Sequence, residues 1–263
     1  MKKLLSIILV LIMSLSVLSL VSCNKDEMTA EQLEAYRNYT DALAKTNSLD
    51  SLDGKLVMNI SMNAAASSLS QSYIYNFNMK VTDAKNPSTM KMRIDGTIFM
   101  AGQDIEMDCY VENGWGYYDM TVSGQQMKFK TNLAGGNDEY SEMFNMGSVD
   151  LPKSIFKNVE VSEEADGSKT LALTLNGKQM LSLYSDLTSS LGAEISAADI
   201  SDASVVAFVN KDGYLAKVTI IYSMVIQGVS ASTALHVEYF NLGQEVTVEP
   251  IEGYKNFPEQ SIS

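Results

Sequence analysis

The chain reads KLVMNISMN at residues 55–63, where apolar and polar side chains alternate. The apolar members are Leu56, Met58, Ile60 and Met62. Successive side chains of a β-strand point to opposite faces of a sheet, so a period of two predicts a strand with one buried face. We take this segment as the first strand of an antiparallel sheet.

The same alternation recurs along the chain, and turn signals such as Asn113-Gly114, Asp166-Gly167 and Asp212-Gly213 separate the segments. These connections are too short for crossover helices, so neighbouring strands should pair antiparallel as a meander. In all, about ten or eleven strands are expected. Beyond 55–63, the alternating or apolar segments are Tyr73–Val81, Met90–Ile98, Ile105–Val111, Trp115–Thr121, Met127 with Phe129, Val159–Val161, Leu171–Leu175, Val205–Val209, Leu215–Gln227, Ala231–Phe240, and Val246 with Val248 before Pro250.

Helical patterns interrupt the strands in three places. Thr29 with Gln32 three residues later predicts a capped helix that runs to about Lys45. Residues 138–156 suggest one or two short helices, and 177–191 predict a further helix that stops at Gly192. The expected class is therefore mainly β, with helices placed between runs of antiparallel strands.

The N-terminus has the pattern of a signal peptide. Lys2 and Lys3 precede an apolar stretch from Leu4 to Leu20, which is short for a membrane span. The stretch ends in Leu20-Val21-Ser22-Cys23, which resembles the lipobox of bacterial lipoproteins. The resemblance implies a diacylglyceryl group on Cys23 and removal of residues 1–22. It leaves residues 23–27 as a lipidated tether, 28–257 as a single domain and 258–263 as a C-terminal tail.

The chain is strongly acidic, with a formal net charge of −13. Removal of residues 1–22 deletes Lys2 and Lys3 and no acid, which takes the charge from −13 to −15. Anionic headgroups and nucleic-acid phosphates repel such a body, so no nucleic-acid partner is expected. With Cys23 acylated, Cys109 is the only cysteine left, and an internal disulfide is excluded.

Three later segments resemble the LolA/LppX-like lipoprotein family. They are the tyrosine-bracketed hairpin Tyr110–Tyr118, the late hairpin Asn210–Leu215, and the chain end from Tyr239 to Gly243 and on to Pro250. The resemblance covers residues 28–257 and is closest to poorly characterised Gram-positive members. It implies a strongly curved antiparallel half-barrel whose concave face is covered by helices. Family members with known roles carry lipoproteins or glycolipids between the helices and the sheet.

Methionine is abundant on the apolar side of the predicted strands. Sixteen methionines less Met1 and Met13 leave fourteen after the signal peptide. Methionine is flexible and polarizable, which suits an apolar surface that adapts to varied shapes. The pattern favours a hydrophobic lining for acyl chains, although an ordinary methionine-filled core fits it as well. The candidate lining residues are Met58, Met62, Tyr75, Phe77, Met79, Met90, Met92 and Met107.

No residue pattern indicates catalysis, a metal or a cofactor. His236 is the only histidine and falls in a predicted strand, which excludes a multi-histidine metal site. Cys109 lies on the apolar side of its strand and is expected to be buried and inert. The acidic positions Asp104, Glu106 and Asp108 face the matching side of the strand that carries Lys91, Arg93 and Asp95, which cross-strand charge pairing explains.

The sequence thus predicts a non-enzymatic lipoprotein, anchored at the extracytoplasmic face of the cell membrane. It would bind or sense a lipid or another amphiphile. The alternative is an envelope scaffold with a solid core, in which the outer face of the sheet or the Tyr117-Tyr118 hairpin docks onto a protein partner.

Overall fold

The computed structural model describes residues 29–64, 70–86, 88–100, 102–133, 155–180, 198–226 and 229–260. It shows a curved, open antiparallel sheet with one long helix packed against it, as the sequence predicts. The strands are β1 (Leu52–Ala64), β2 (Ser70–Thr82), β3 (Lys91–Met100), β4 (Gln103–Glu112), β5 (Trp115–Val122), β6 (Gln125–Asn132), β7 (Phe156–Glu163), β8 (Lys169–Leu175), β9 (Ala198–Ile200), β10 (Ala203–Val209), β11 (Leu215–Ile226) and β12 (Val229–Phe240).

Eleven of these strands form one continuous path across the sheet. The order is β6-β5-β4-β3-β2-β1-β12-β11-β10-β8-β7, and the short β9 pairs separately with β11. The first six strands form the expected meander, in which each strand pairs with the next. The pairing of β1 with β12 is non-local and joins the two halves of the chain into one sheet.

Helix α1 (Ala30–Asn47) begins as the sequence predicts. The Thr29 hydroxyl accepts a hydrogen bond from the Gln32 backbone N–H, and the Gln32 side chain accepts one from Thr29, which completes a capping box. The helix buries Tyr36 and Tyr39, whose rings meet Phe156 edge-on with centroids 5.5 and 6.4 Å away. These contacts fix α1 against the β7 side of the sheet.

The far end of α1 is held by a buried hydroxyl. Thr46 is 1 % exposed, and its Oγ1 donates to the carbonyl of Ala42 and accepts from the N–H of Leu215 at 2.9 Å. Leu215 is the first residue of β11 and is itself fully buried. A single hydroxyl thus satisfies a buried backbone donor and ties the helix to the sheet.

Glycine permits a close approach between two central strands. Gly96 of β3 lies opposite Phe77 of β2 and Met107 of β4. A Cβ at this position would lie 1.9 Å from the backbone oxygen of Asn76, far inside contact distance. Only glycine lets β3 lie against β2 in this way, and glycine within a strand is a common means of bending a sheet.

Two of the predicted hairpin signals work through left-handed backbone conformations. Asn113 and Gly114 have φ values of 54° and 73°, as a two-residue turn between β4 and β5 requires. Asp166-Gly167 also turns the chain, and the Asp166 carboxylate accepts from the N–H of Ser168 at 2.9 Å. These local signals set the register of their hairpins, as expected.

The end of the chain differs from the prediction. Val246 and Val248 are buried but belong to no strand, because the chain leaves the sheet after Phe240 and crosses its outer face. There Val248 packs with Tyr110, and Lys130 of edge strand β6 exchanges two backbone hydrogen bonds with Pro258 and Gln260. Val248 lies on the outside of the meander, and the alternation of residues 246–248 here marks an extended segment and not a sheet strand.

Some predicted helices lie outside the described residues. This applies to residues 138–154 of the helices expected within 138–156 and to most of the helix expected at 177–191. Phe156, at the end of the first range, begins strand β7 and is not helical. Residues 177–180 are helical, in agreement with its predicted start.

The hydroxyl of Thr46 provides a test of how α1 is held. Thr46→Val keeps the side-chain shape but leaves the Leu215 N–H unpaired in the core, which should lower the free energy of unfolding by about 1–3 kcal/mol. Thr40→Val is the matched control, since the Thr40 hydroxyl bonds Tyr36 on the same helix at a less buried position. Urea unfolding that shows equal losses for both variants would contradict the assignment.

Candidate functional site

The inner face of the sheet, which α1 covers in part, is the candidate site. Strand register places directly opposed side chains on the same face, so Met58 lies between Tyr75 and Leu235, and Ile98 lies beyond Tyr75. The inward positions of β1–β6 and β10–β12 carry no Asp, Glu, Lys or Arg within the described residues. This part of the inner face is therefore a continuous uncharged surface.

Burial on the inner face changes along the strands. The middle of the central strands β2, β3 and β12 is covered: Tyr75, Ile98 and Leu235 are 2, 1 and 3 % exposed. Toward the Ala64 end of β1 the inward side chains become half-buried. We call this half-buried set the rim, and it consists of Ile60, Met62, Tyr73, Met100, Tyr222 and Met224.

Helix α1 runs from the rim end of the sheet to the opposite end of the strands. Its last turn is held at Leu215, where β11 begins, and its first turn lies beside Lys157, whose carbonyl accepts from the Gln32 side chain at 3.0 Å. A cleft of about 430 Å³ separates that first turn from the sheet. Its lining is mostly polar and includes Glu31, Asn158 and Ser204. None of the predicted lining residues borders this cleft.

Each predicted lining residue faces the inner side of the sheet or its continuation. Met62 and Met79 are half-buried. The others are buried, and they are Met58, Tyr75, Phe77, Met90, Met92 and Met107. Their role as a ligand lining stays a prediction, because burial among neighbours fits a filled core equally well.

The predicted lining includes Met62 but omits the other five rim residues. Tyr222 and Met224 belong to β11, whose long apolar run is visible in the sequence but shows no clear alternation. Met100 lies just beyond the predicted end of its strand. These residues can be recognised as rim residues only from their position at the ends of strands, and that position is known only once the pairing register of the sheet is known.

Burial keeps Tyr39, Tyr239 and Cys109, on or against the uncharged part of the inner face, in their neutral forms at physiological pH. Burial raises the pKa of Tyr239 to about 12, and burial together with the neighbouring Tyr239 raises the pKa of Tyr39. Burial also raises the pKa of the Cys109 thiol to about 12. Because a thiolate is the reactive form, Cys109 is a buried, weakly reactive thiol, as predicted.

The outer face of β3–β6 carries the predicted charge pairs. The Arg93 guanidinium binds the Asp108 carboxylate through two hydrogen bonds of 3.0 and 2.8 Å, and Lys91 lies 3.3 Å from Glu112. Arg93 also donates to the backbone carbonyl of Glu249, which holds the crossing C-terminal segment. Cross-strand pairing thus explains these charges, and they are not near the inner face.

The described residues contain no group of side chains arranged to hold a metal ion. Among them, no cluster of three or more His, Cys, Asp and Glu side chains could hold a metal ion. His236 is exposed on the outer face, where its Nδ1 lies 2.7 Å from the Thr219 hydroxyl.

Residues 34–244 match DUF6612, a family of unknown function. The chain belongs to this family. A comparison with curated proteins finds no match.

Solved structures with a related shape include a bacterial lipoprotein. LppX from Mycobacterium tuberculosis is 15 % identical, with 83 % of this chain and 98 % of that chain covered at a TM-score of 0.41. A beta-barrel-like protein of the DUF1849 family from Brucella abortus is 11 % identical, with 72 % and 98 % covered at a TM-score of 0.24. At these values the likeness does not bear on what this DUF6612 protein binds.

Across the parts of the chain that are described, no helix combines the length and the apolar character needed to span a membrane.

The buried thiol of Cys109 gives a direct check of inner-face packing. A thiol reagent such as DTNB should leave Cys109 unmodified at pH 8 in the folded protein with Cys23 replaced by Ala, since the pKa is raised to about 12 and the side chain is 7 % exposed. Addition of guanidinium should release one equivalent of reactive thiol. Rapid modification without denaturant would show that the face is open at this depth.

Proposed function

We propose that this DUF6612 protein is a lipoprotein anchored through Cys23, which holds a hydrophobic or amphiphilic ligand on the inner face of its sheet. The ligand class is a lipid or the acyl chains of a lipoprotein, and the protein acts at the extracytoplasmic face of the cell membrane. No catalytic step is part of this role. The observation that carries the proposal is the uncharged inner face of β1–β6 and β10–β12, whose side chains pass from buried to half-buried at the rim.

The composition of the rim supports such a ligand. Met62, Met100 and Met224 supply flexible apolar side chains, and Tyr73 and Tyr222 add rings that each have one polar tip. An acyl chain that enters between them gains about 0.8 kcal/mol for each methylene removed from water. A charged head would find no counter-ion among the rim side chains, so the apolar part of the ligand provides the affinity.

A second candidate is a scaffold lipoprotein whose inner face is only its core. The burial of Met58, Tyr75 and Met107 to 4 % or less favours it, because side chains in a filled core are shielded to this degree. In that case the rim is the solvent boundary of the core, and an envelope protein partner would dock elsewhere. Uptake of an acyl ligand separates the two candidates.

Ligand entry at the rim can be tested with an uncharged lipid probe. The delipidated protein should bind a pyrene-labelled monoacylglycerol, and Met100→Glu should weaken that binding by about tenfold, or about 1.4 kcal/mol, because the carboxylate would lose water on complex formation. Thr97→Glu is the matched control, since it adds the same charge three residues away on the exposed outer side of β3. Fluorescence titration measures both.

An absence of uptake by the unmodified protein would refute ligand binding and favour the scaffold. Equal weakening by Met100→Glu and Thr97→Glu would show that the rim is not the entry. Circular dichroism of each variant checks that the sheet is retained.

The anchor can be tested separately, because the chain has only two cysteines. In a bacterial host fed with radiolabelled palmitate, the unmodified chain and Cys109→Ala should carry label in the membrane fraction. Cys23→Ala should carry none, since it removes the only thiol that the lipobox resemblance assigns to acylation. Label on Cys23→Ala would overturn the anchor assignment.

A further inference from the structure

On six adjacent strands of the sheet, the described outward side chains behind the rim carry no formal charge, and the register sets Glu160 of β7 opposite Ala172 and Asp199 of β9 opposite Val225 at the border of this surface. It comprises the outward side chains of six adjacent strands over the rim half of their length, with register bringing them side by side. Asp, Glu, Lys and Arg make up 19 % of the chain, yet none occurs at these positions. We call this surface the neutral patch: Ser70, Ser72, Ile74, Asn76, Val57, Asn59, Ser61, Asn63, Ser230, Ser232, Ala234, His236, Thr219, Ile221, Ser223, Val225, Ser204, Val206, Ala172 and Thr174.

Charges return at the opposite end of the same strands. Lys217 of β11 pairs with Glu238 of β12 at 2.7 Å, and Lys80 of β2 lies 4.0 Å from Asp53 of β1. Lys55 adds a further charge on the outer side of β1. The neutrality is therefore a property of the rim half of the outer face and not of the strands as a whole.

The neutral patch also exposes most of the large apolar side chains that reach solvent. Among the described residues, six large hydrophobic side chains are exposed, and four of them belong to the patch. They are Ile74, Val206, Ile221 and Val225, with exposures of 40, 44, 49 and 43 %. Serine and asparagine surround them. Aliphatic side chains among hydroxyls and amides suit the boundary between lipid headgroups and acyl chains, where both kinds of group find partners.

The start of α1 lies at the margin of this patch. The cleft at the first turn of the helix brings Thr29 and Glu31 together with Thr174 and Ser204, which are patch residues. Cys23 precedes Thr29 by six residues, and six extended residues span at most about 20 Å. A lipid on Cys23 would therefore hold this edge of the sheet close to the bilayer.

Electrostatics selects the face that can lie nearest to the lipid. The chain carries a net charge of −13, and its charged outer regions are repelled by anionic headgroups within a Debye length of about 8–10 Å. The neutral patch can approach anionic headgroups without this electrostatic repulsion. The rim lies at the same end of the strands on the opposite face of the sheet, so contact through the patch keeps the rim within about one sheet thickness of the membrane surface.

We propose that the neutral patch is the surface by which the protein lies on the bilayer, with the patch aliphatics at the headgroup level. The proposal rests on the proposed attachment at Cys23. It adds an orientation: the patch faces the lipid, the charged end points away, and the rim opens next to the source of its ligand.

The test places a fluorescent reporter on each part of the outer face. Residues 24–263 are produced with a hexahistidine segment in place of Cys23 and bound to phosphatidylcholine–phosphatidylglycerol vesicles that contain a nickel-chelating lipid. An NBD label is attached at Ile221→Cys in the patch or, as the matched control, at Phe240→Cys, which is 38 % exposed on β12 at the charged end. Cys109 is buried and stays unlabelled.

Binding to vesicles should shift the emission of the Ile221→Cys label to the blue and make it sensitive to quenching by spin-labelled lipid, with little change for Phe240→Cys. Equal responses at the two positions, or none at either, would overturn the proposal. A blue shift at Ile221→Cys without vesicles, accompanied by concentration-dependent sedimentation, would assign the patch to a second copy of the chain. The histidine segment supplies the attachment, so these outcomes do not depend on acylation of Cys23 or on uptake of the acyl probe.

Discussion

The pairing of β1 with β12 is the constraint on which the rest of the structure depends. Without it, β1–β6 and the later strands would form two smaller sheets, each with its own short apolar face. The register from Asp53–Phe240 to Ala64–Val229 sets Met58 opposite Leu235 and so joins the two apolar faces. A slip of one residue would turn every inward side chain of β1 outward, so burial of Leu56 and Met58 specifies the register strongly.

Local sequence patterns predict much of this fold, because strands and hairpins depend on residues that are close together in the sequence. The capping box at Thr29, the Asn113-Gly114 turn and the alternation of β1–β5 each follow from side chains a few positions apart. The β1–β12 pairing and the course of the chain after Phe240 depend on contacts between distant segments. Val246 and Val248 show the limit: they alternate with polar residues but belong to no strand, and Val248 packs on the outer face beside Tyr110.

The sequence predicts which side chains share the inner face, but it does not predict how their burial changes along each strand. Period two places Met58 and Met62 on the same side of β1, but it cannot tell that Met58 is 3 % exposed while Met62 is half-buried. That difference arises from which part of each strand is covered in the folded protein. Tyr222 and Met224 reach the rim only because β11 lies two strands from β1 across β12. The burial of an inward side chain therefore depends on its position along the strand, which the period of two does not reveal.

The same strands that build the inner face also sort the charges outside. On β12, Glu238 and its partner Lys217 of β11 lie in the half away from the rim, whereas Ser230, Ser232 and Ala234 lie in the rim half. A strongly acidic protein gains solubility from its charges, and nothing in the packing of the sheet requires them to avoid one half of its outer surface. The uncharged half lies at the same end of the strands as the rim, so the proposed orientation and the proposed ligand access depend on one arrangement of the sheet.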